Sequence, residues 1–208
     1  MAASYESLIA DQEFKLRLVT FLSEAEKHLR CIFHDPKYGN FPTDRKKIYG
    51  IMVKLDKNGS LNHLQPNQRT IVLPKSRETD SQEFDITLLS YFLLNHVKLS
   101  KKVREAIEGI RKERNLILHN PNILCTEFQT RWTSLEVFLS VLNYDISTVK
   151  DLKSGSLEHL EHLQVSINKS KIELQDQRLS AIEHKINTFK PEKTQHAHNA
   201  VQARSTPR

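Results

Sequence analysis

Three side chains able to do chemistry stand close together in Glu113-Arg114-Asn115-Leu116-Ile117-Leu118-His119: a guanidinium, an amide and an imidazole. Val103, Ile107, Ile110 and Ile117 repeat at helical 4-3 spacing, and the position that completes the series is Arg114. A guanidinium cannot be neutralised by losing a proton, so an apolar stripe must offer it a carboxylate, carbonyls or a phosphate. A structural ion pair and an arginine that snorkels to solvent are the alternatives to an anion-binding role. Asn115 and His119 lie one turn apart on one face, which lets the amide hydrogen-bond the imidazole and choose its tautomer. Arg114 and His119 are about 140° apart on an ideal helix, too far round for one small ligand to span. Pro121 disfavours helical geometry at Asn120 and predicts a helix end at or near His119, with some departure from ideal geometry there.

The elements that must position these residues are helices. A very apolar segment, Ile86 to Val97, is capped by Asp85 and carries Leu88, Leu89, Phe92, Leu93 and Val97. A short link joins it to the helix from Ser100 to His119, so the two must run antiparallel. Thr126 and Gln129 have capping-box spacing and predict a third helix to about Tyr144, with Phe128, Trp132, Leu135, Phe138, Leu139 and Leu142 facing the core. Upstream, Leu8 to Phe33 is a long amphipathic helix with Phe14, Leu18, Phe21, Leu22, Ala25, Leu29 and Ile32 as its stripe. Thr43 is a candidate cap for a helix through Leu55 built on Ile48, Ile51, Met52 and Leu55. A shorter one starts at Pro66, with Ile71 and Leu73 turned inward.

Arg114-Asn115, three residues and then His119 match the R-N-x-x-x-H signature of HEPN (higher eukaryotes and prokaryotes nucleotide-binding) domains. Phe84-Asp85-Ile86-Thr87-Leu88-Leu89 before it, and Thr126-Glu127-Phe128-Gln129 with Trp132 after it, resemble the branch that includes the HEPN domain of DAZ-interacting zinc finger protein 3. The resemblance runs from about Phe14 to Tyr144 and implies an up-and-down bundle. It also implies metal-independent cleavage of RNA, in which the 2′-hydroxyl attacks its own phosphate and leaves a cyclic phosphate and a 5′-hydroxyl. His119 would move protons, Arg114 would hold the developing phosphorane charge, and Asn115 would orient the histidine or a phosphate oxygen. Such domains commonly build the working site between two copies, which makes a homodimer the expected state and relieves the 140° separation. Many related domains bind RNA or partners without cutting, so a non-catalytic interaction or adaptor module in signalling or innate defence is the alternative.

Composition sets the frame. With 208 residues, 38% hydrophobic and 27% charged, the chain can bury one good core and leave a tail. Five glycines and few alternating β-branched runs point to an all-α protein. The expected organisation is a HEPN-like bundle over 8–153, a C-terminal helix or short coiled coil over 156–189, and a disordered basic tail over 190–208. That helix offers a surface for self-association or a protein partner. No secretory signal and no apolar run of about 18 residues are present, so a soluble, cytoplasmic protein with no membrane role is expected. Cys31 and Cys125 are too few for a disulfide framework, a zinc cage or a RING-type set, and are expected to be reduced core thiols. No metal or cofactor is expected. Glu108 and Glu113 read as solvated helix charges, with Asp85 and Glu83 as candidate partners of Arg114. The net charge of +6 fits a phosphate-rich partner, although much of it falls in the tail.

Overall fold

Asp85 and Arg104 fix the direction of the central helix pair. In the computed structural model, which describes residues 2–38, 41–120 and 123–155 (with side chains from residue 10 onward), α1 spans Ala2–His34, α2 Arg45–Lys57 and α3 Pro66–Val72. Then follow α4 (Ile86–His96), α5 (Lys101–His119), α6 (Cys125–Val141) and the short α7 (Lys150–Ser154). At the start of α4 the Asp85 carboxylate meets Arg114 near the end of α5, and at its end the Leu94 carbonyl accepts from Arg104 near the start of α5. The two helices are therefore antiparallel. The same holds for α5 and α6, where Gly109 faces Phe138, Glu113 pairs with Arg131 and Asn120 bonds Glu127. Three successive helices thus alternate in direction, and no strand occurs among the described residues. The protein is an all-α helical bundle. The helix expected over 156–189 and the tail expected over 190–208 lie outside the described residues.

The stripe of α1 closes this layer. Leu18, Phe21, Leu22, Ala25, Leu29 and Ile32 are all buried, as their spacing requires, while Phe14 is half-buried and stacks on Phe128 at 4.8 Å. Trp132 is fully buried against Phe21 and Phe128, and its indole N–H donates to Glu136 at 2.9 Å, so the ring adds apolar area without leaving a polar atom unbonded. At the other end Phe33, Phe41, Phe84 and Phe92 form a second aromatic cluster that anchors the start of α4.

Several local expectations need correction. Asp44, not Thr43, caps α2 by accepting from the Lys47 N–H. In α3 Val72 is the buried residue, with Ile71 and Leu73 only half-buried. The Thr126-Gln129 capping box is not formed: α6 starts at Cys125 with Leu124 as an N-cap that supplies no side-chain bond, and it ends at Val141. Ile123, fully buried just ahead, explains the shift, because docking it fixes the chain before Thr126 is reached. Cys31 and Cys125 are both exposed, so neither is a core thiol.

Candidate functional site

Two caps define α5. Ser100 accepts from the Val103 N–H at its start, and Asn120, held extended ahead of Pro121, closes its end by donating its N–H to the Leu116 carbonyl. Ile107, Ile110 and Ile117 are fully buried on the stripe to which Arg114 belongs. The Arg114 side chain keeps 25% of its surface exposed. It lies on the margin of the core, where the start of α4 supplies the carboxylate that its charge demands. Arg114 Nη2 donates to Asp85 Oδ2 at 3.1 Å and Nη1 donates to Asn115 Oδ1 at 3.1 Å. Asp85 meanwhile caps α4, its Oδ1 accepting from the Leu88 N–H at 2.9 Å. One carboxylate thus serves a helix N-terminus and a guanidinium.

Arg114, Asn115 and Asp85 are brought together, and His119 is not. The helix remains regular to His119, so the separation of about 140° persists without the expected departure from ideal geometry. The oxygen of Asn115 faces Arg114, and the expected amide–imidazole bond is not made. His119 is exposed, and its imidazole makes no hydrogen bond among the described residues. Close to it in the sequence, Leu116, Leu118 and Leu124 are 50%, 42% and 58% exposed.

Beneath this end of α5 lies a polar network that sequence reasoning missed. Arg131 Nη1 donates to Glu113 at 3.1 Å and Nη2 to Glu127 at 2.6 Å, with Glu113 only 15% exposed. Glu113 is therefore a partly buried ion-pair member, contrary to the expected solvated charge. Burial alone would lower the Arg131 pKa, but its hydrogen bonds and charge interactions with Glu127 and Glu113 outweigh that and hold it above its usual value. Glu127 also accepts from the Asn120 amide, and the Asn120 carbonyl accepts from Lys15 at 2.7 Å. Residues from α1 and α6 thereby fix the turn that carries His119. The i,i+4 spacing of Glu127 and Arg131 is a local signal for half of this network, whereas Glu113 and Lys15 are reached only through the fold.

Among the described residues no group of three His, Cys, Asp or Glu side chains is arranged to hold a metal ion, and no helix is long and apolar enough to cross a membrane. Comparison of the chain with known protein families, with curated proteins and with solved structures finds no match in any of the three.

Proposed function

We propose that this chain is a HEPN-like, RNA-binding bundle of the cytoplasm. Its Arg114-Asn115-His119 segment, paired with that of a second copy, would cleave RNA without a metal. The observation that carries this reading is the regular end of α5: it presents an anchored guanidinium and an exposed imidazole on different faces, which two facing copies can combine and one copy cannot. In the cleavage step the 2′-oxygen bonds to phosphorus as its proton passes to a neutral imidazole. The bond from phosphorus to the 5′-oxygen breaks, and that oxygen takes a proton from the imidazolium of the second copy. Arg114 faces the phosphorane oxygens with the donors that Asp85 and Asn115 leave unused. The exposed leucines beside His119 supply apolar area for the contact between copies.

A second reading has its own support. Asp85 already supplies Arg114 with a counter-charge, as in a purely structural pair, and Leu116, Leu118 and Leu124 suit a protein-binding face equally well. On that reading the domain is a non-catalytic adaptor, with a further partner surface over 156–189.

Incubating the full chain with mixed RNA and a chelator separates the two. The expected products end in a cyclic phosphate and a 5′-hydroxyl, and His119→Ala should slow their formation by about 10²–10⁴-fold while RNA affinity and melting temperature stay near wild type. Arg114→Lys, which keeps the charge and loses the planar fork, should also lose activity. A wild type that cuts nothing at concentrations where sedimentation shows a dimer, with both variants binding RNA unchanged, would hand the case to the adaptor reading.

A further inference from the structure

The solvent face of α2 has a composition that its fold does not require. Lys46, Lys47, Gly50, Lys54 and Lys57 are all exposed and fall within an arc of about 100° on the helix. The opposite face carries the buried Ile48 and Met52. No acidic residue of α2 lies on the lysine arc: Asp56 is off it and is engaged by Arg69 at 2.6 Å, while Asp44 is the N-cap. Among the described residues, only Lys46 of this arc pairs with an acidic side chain, Glu78, at a loose 3.8 Å between two exposed side chains. In the middle of the arc Gly50 leaves an opening, for a Cβ built there would meet nothing within 4 Å. A mid-helix glycine is unfavourable to the helix by about 1 kcal/mol relative to alanine, and no packing contact explains it here.

We infer that this lysine face of α2 is a second nucleic-acid contact, a track for the phosphodiester backbone of an RNA strand, with Gly50 letting the strand approach the helix. From Lys46 to Lys57 the helix rises ~16 Å, along which one strand of a duplex carries about five phosphates. Three features favour phosphates over other polyanions. The arc holds lysines but no aromatic, arginine or large apolar side chain, whereas protein-docking faces are enriched in those anchors and depleted in lysine. The apolar face of α2 is spent on the core, so the helix has nothing to insert into a lipid surface. Without aromatic residues for base stacking, the contact follows the backbone and is indifferent to sequence. The inference deepens the RNA reading, on which it rests for the identity of the strand, and it involves none of the residues placed in the cleavage site.

The test uses the full chain, a single-stranded oligouridine and a titration of affinity against salt. Replacing Lys47, Lys54 and Lys57 with glutamine should flatten the slope of log affinity against log salt by about 2. Replacing Lys98, Lys101 and Lys102, which removes equal charge at the start of α5, should change it less. Gly50→Glu puts a carboxylate in the opening while raising helix propensity, so it should cost binding with no loss in melting temperature. Gly50→Ala should bind as wild type. If the two triple variants weaken binding equally, only net charge is at work and the inference fails. If wild type binds RNA and the α2 variants bind as well, the α2 track fails while the RNA reading stands. If wild type binds phosphatidylserine vesicles or polyglutamate but no RNA, both fail.

Discussion

Asp85 offers the sharpest way to ask what Arg114 is for, because its two oxygens do separable work. Oδ1 caps α4 at 2.9 Å and Oδ2 accepts from Arg114 at 3.1 Å. Asparagine is as good an N-cap as aspartate, so Asp85→Asn keeps the cap and removes the charge, whereas Asp85→Ala removes both. The cap contributes about 1 kcal/mol. The ion pair, with side chains 25% and 43% exposed, belongs with solvent-screened pairs worth roughly 0.2–1 kcal/mol. Asp85→Ala should therefore cost ~1–2 kcal/mol, a fall in melting temperature of roughly 2–8 °C for a chain of this size, and Asp85→Asn under ~1 kcal/mol. A double-mutant cycle of Asp85→Asn with Arg114→Gln, read by urea denaturation, isolates the pair. Coupling above about 2 kcal/mol would show that the pair is a structural core bond and would refute the marginal placement of Arg114. The same variant reads function: freed of its carboxylate, a phosphate-facing Arg114 should bind oligouridine up to about fivefold more tightly, since ~1 kcal/mol corresponds to that factor. Asp56→Asn, which removes a carboxylate from Arg69 instead, controls for net charge. Unchanged affinity in Asp85→Asn would mean that Arg114 does not face the anion.

Three further outcomes follow from the packing. Gly109→Ala would place a methyl group 2.4 Å from the Phe138 ring, and overpacking of about 1–3 kcal/mol should outweigh a helix-propensity gain of about 1 kcal/mol; a variant that melts above wild type would contradict this. His96 has a buried Nε2 with no hydrogen bond, and burial, then the charge of His63, lowers its pKa. The unfolded chain therefore binds the proton more readily, so stability should fall as pH drops below the ordinary histidine pKa of about 6.5. His96→Gln should flatten that acid-side loss in melts between pH 7.5 and 5.5, and an unchanged slope would assign the loss to another group. Glu113→Gln should lower the melting temperature more than Glu108→Gln does, because it leaves Arg131, 13% exposed, with one carboxylate fewer; equal melts would return Glu113 to the class of solvated charges.

Helical periodicity carried the fold because it is a local property. The core face of α4 follows from spacing alone and is buried as spelled, and so is the stripe of α1 apart from Phe14, which is half-buried. The misses occur where a weak local signal competes with a distant contact. Thr126 and Gln129 spell a capping box worth a kilocalorie or so, yet Ile123 is buried completely and fixes where α6 begins. Free cysteines are usually buried, which favours the core for Cys31, but its own helix places it about 200° from Leu29 and so outside the stripe.

The candidate site was legible in its residue types and only loosely in its partners. Arg114 on an apolar stripe requires an anion nearby and leaves Asp85, Glu83 and a bound phosphate open; the fold decides for Asp85, which stands 29 positions away where no periodicity reaches. Arg131 has a carboxylate one turn away on its own helix at Glu127, as in any surface i,i+4 pair, yet it is the more buried cation of the two, held from the other side by Glu113. The contrast bears on function. Arg131 commits both terminal nitrogens to carboxylates inside the bundle and so ties α5 to α6 at this corner. Arg114 spends one bond on a carboxylate and one on a neighbouring amide, and it keeps a quarter of its side chain in solvent. A guanidinium carries five N–H donors, so those two bonds leave others to meet a phosphate without displacing Asp85. That unspent capacity, together with the exposed imidazole one and a half turns further along the same helix, distinguishes a candidate site from an ordinary ion pair.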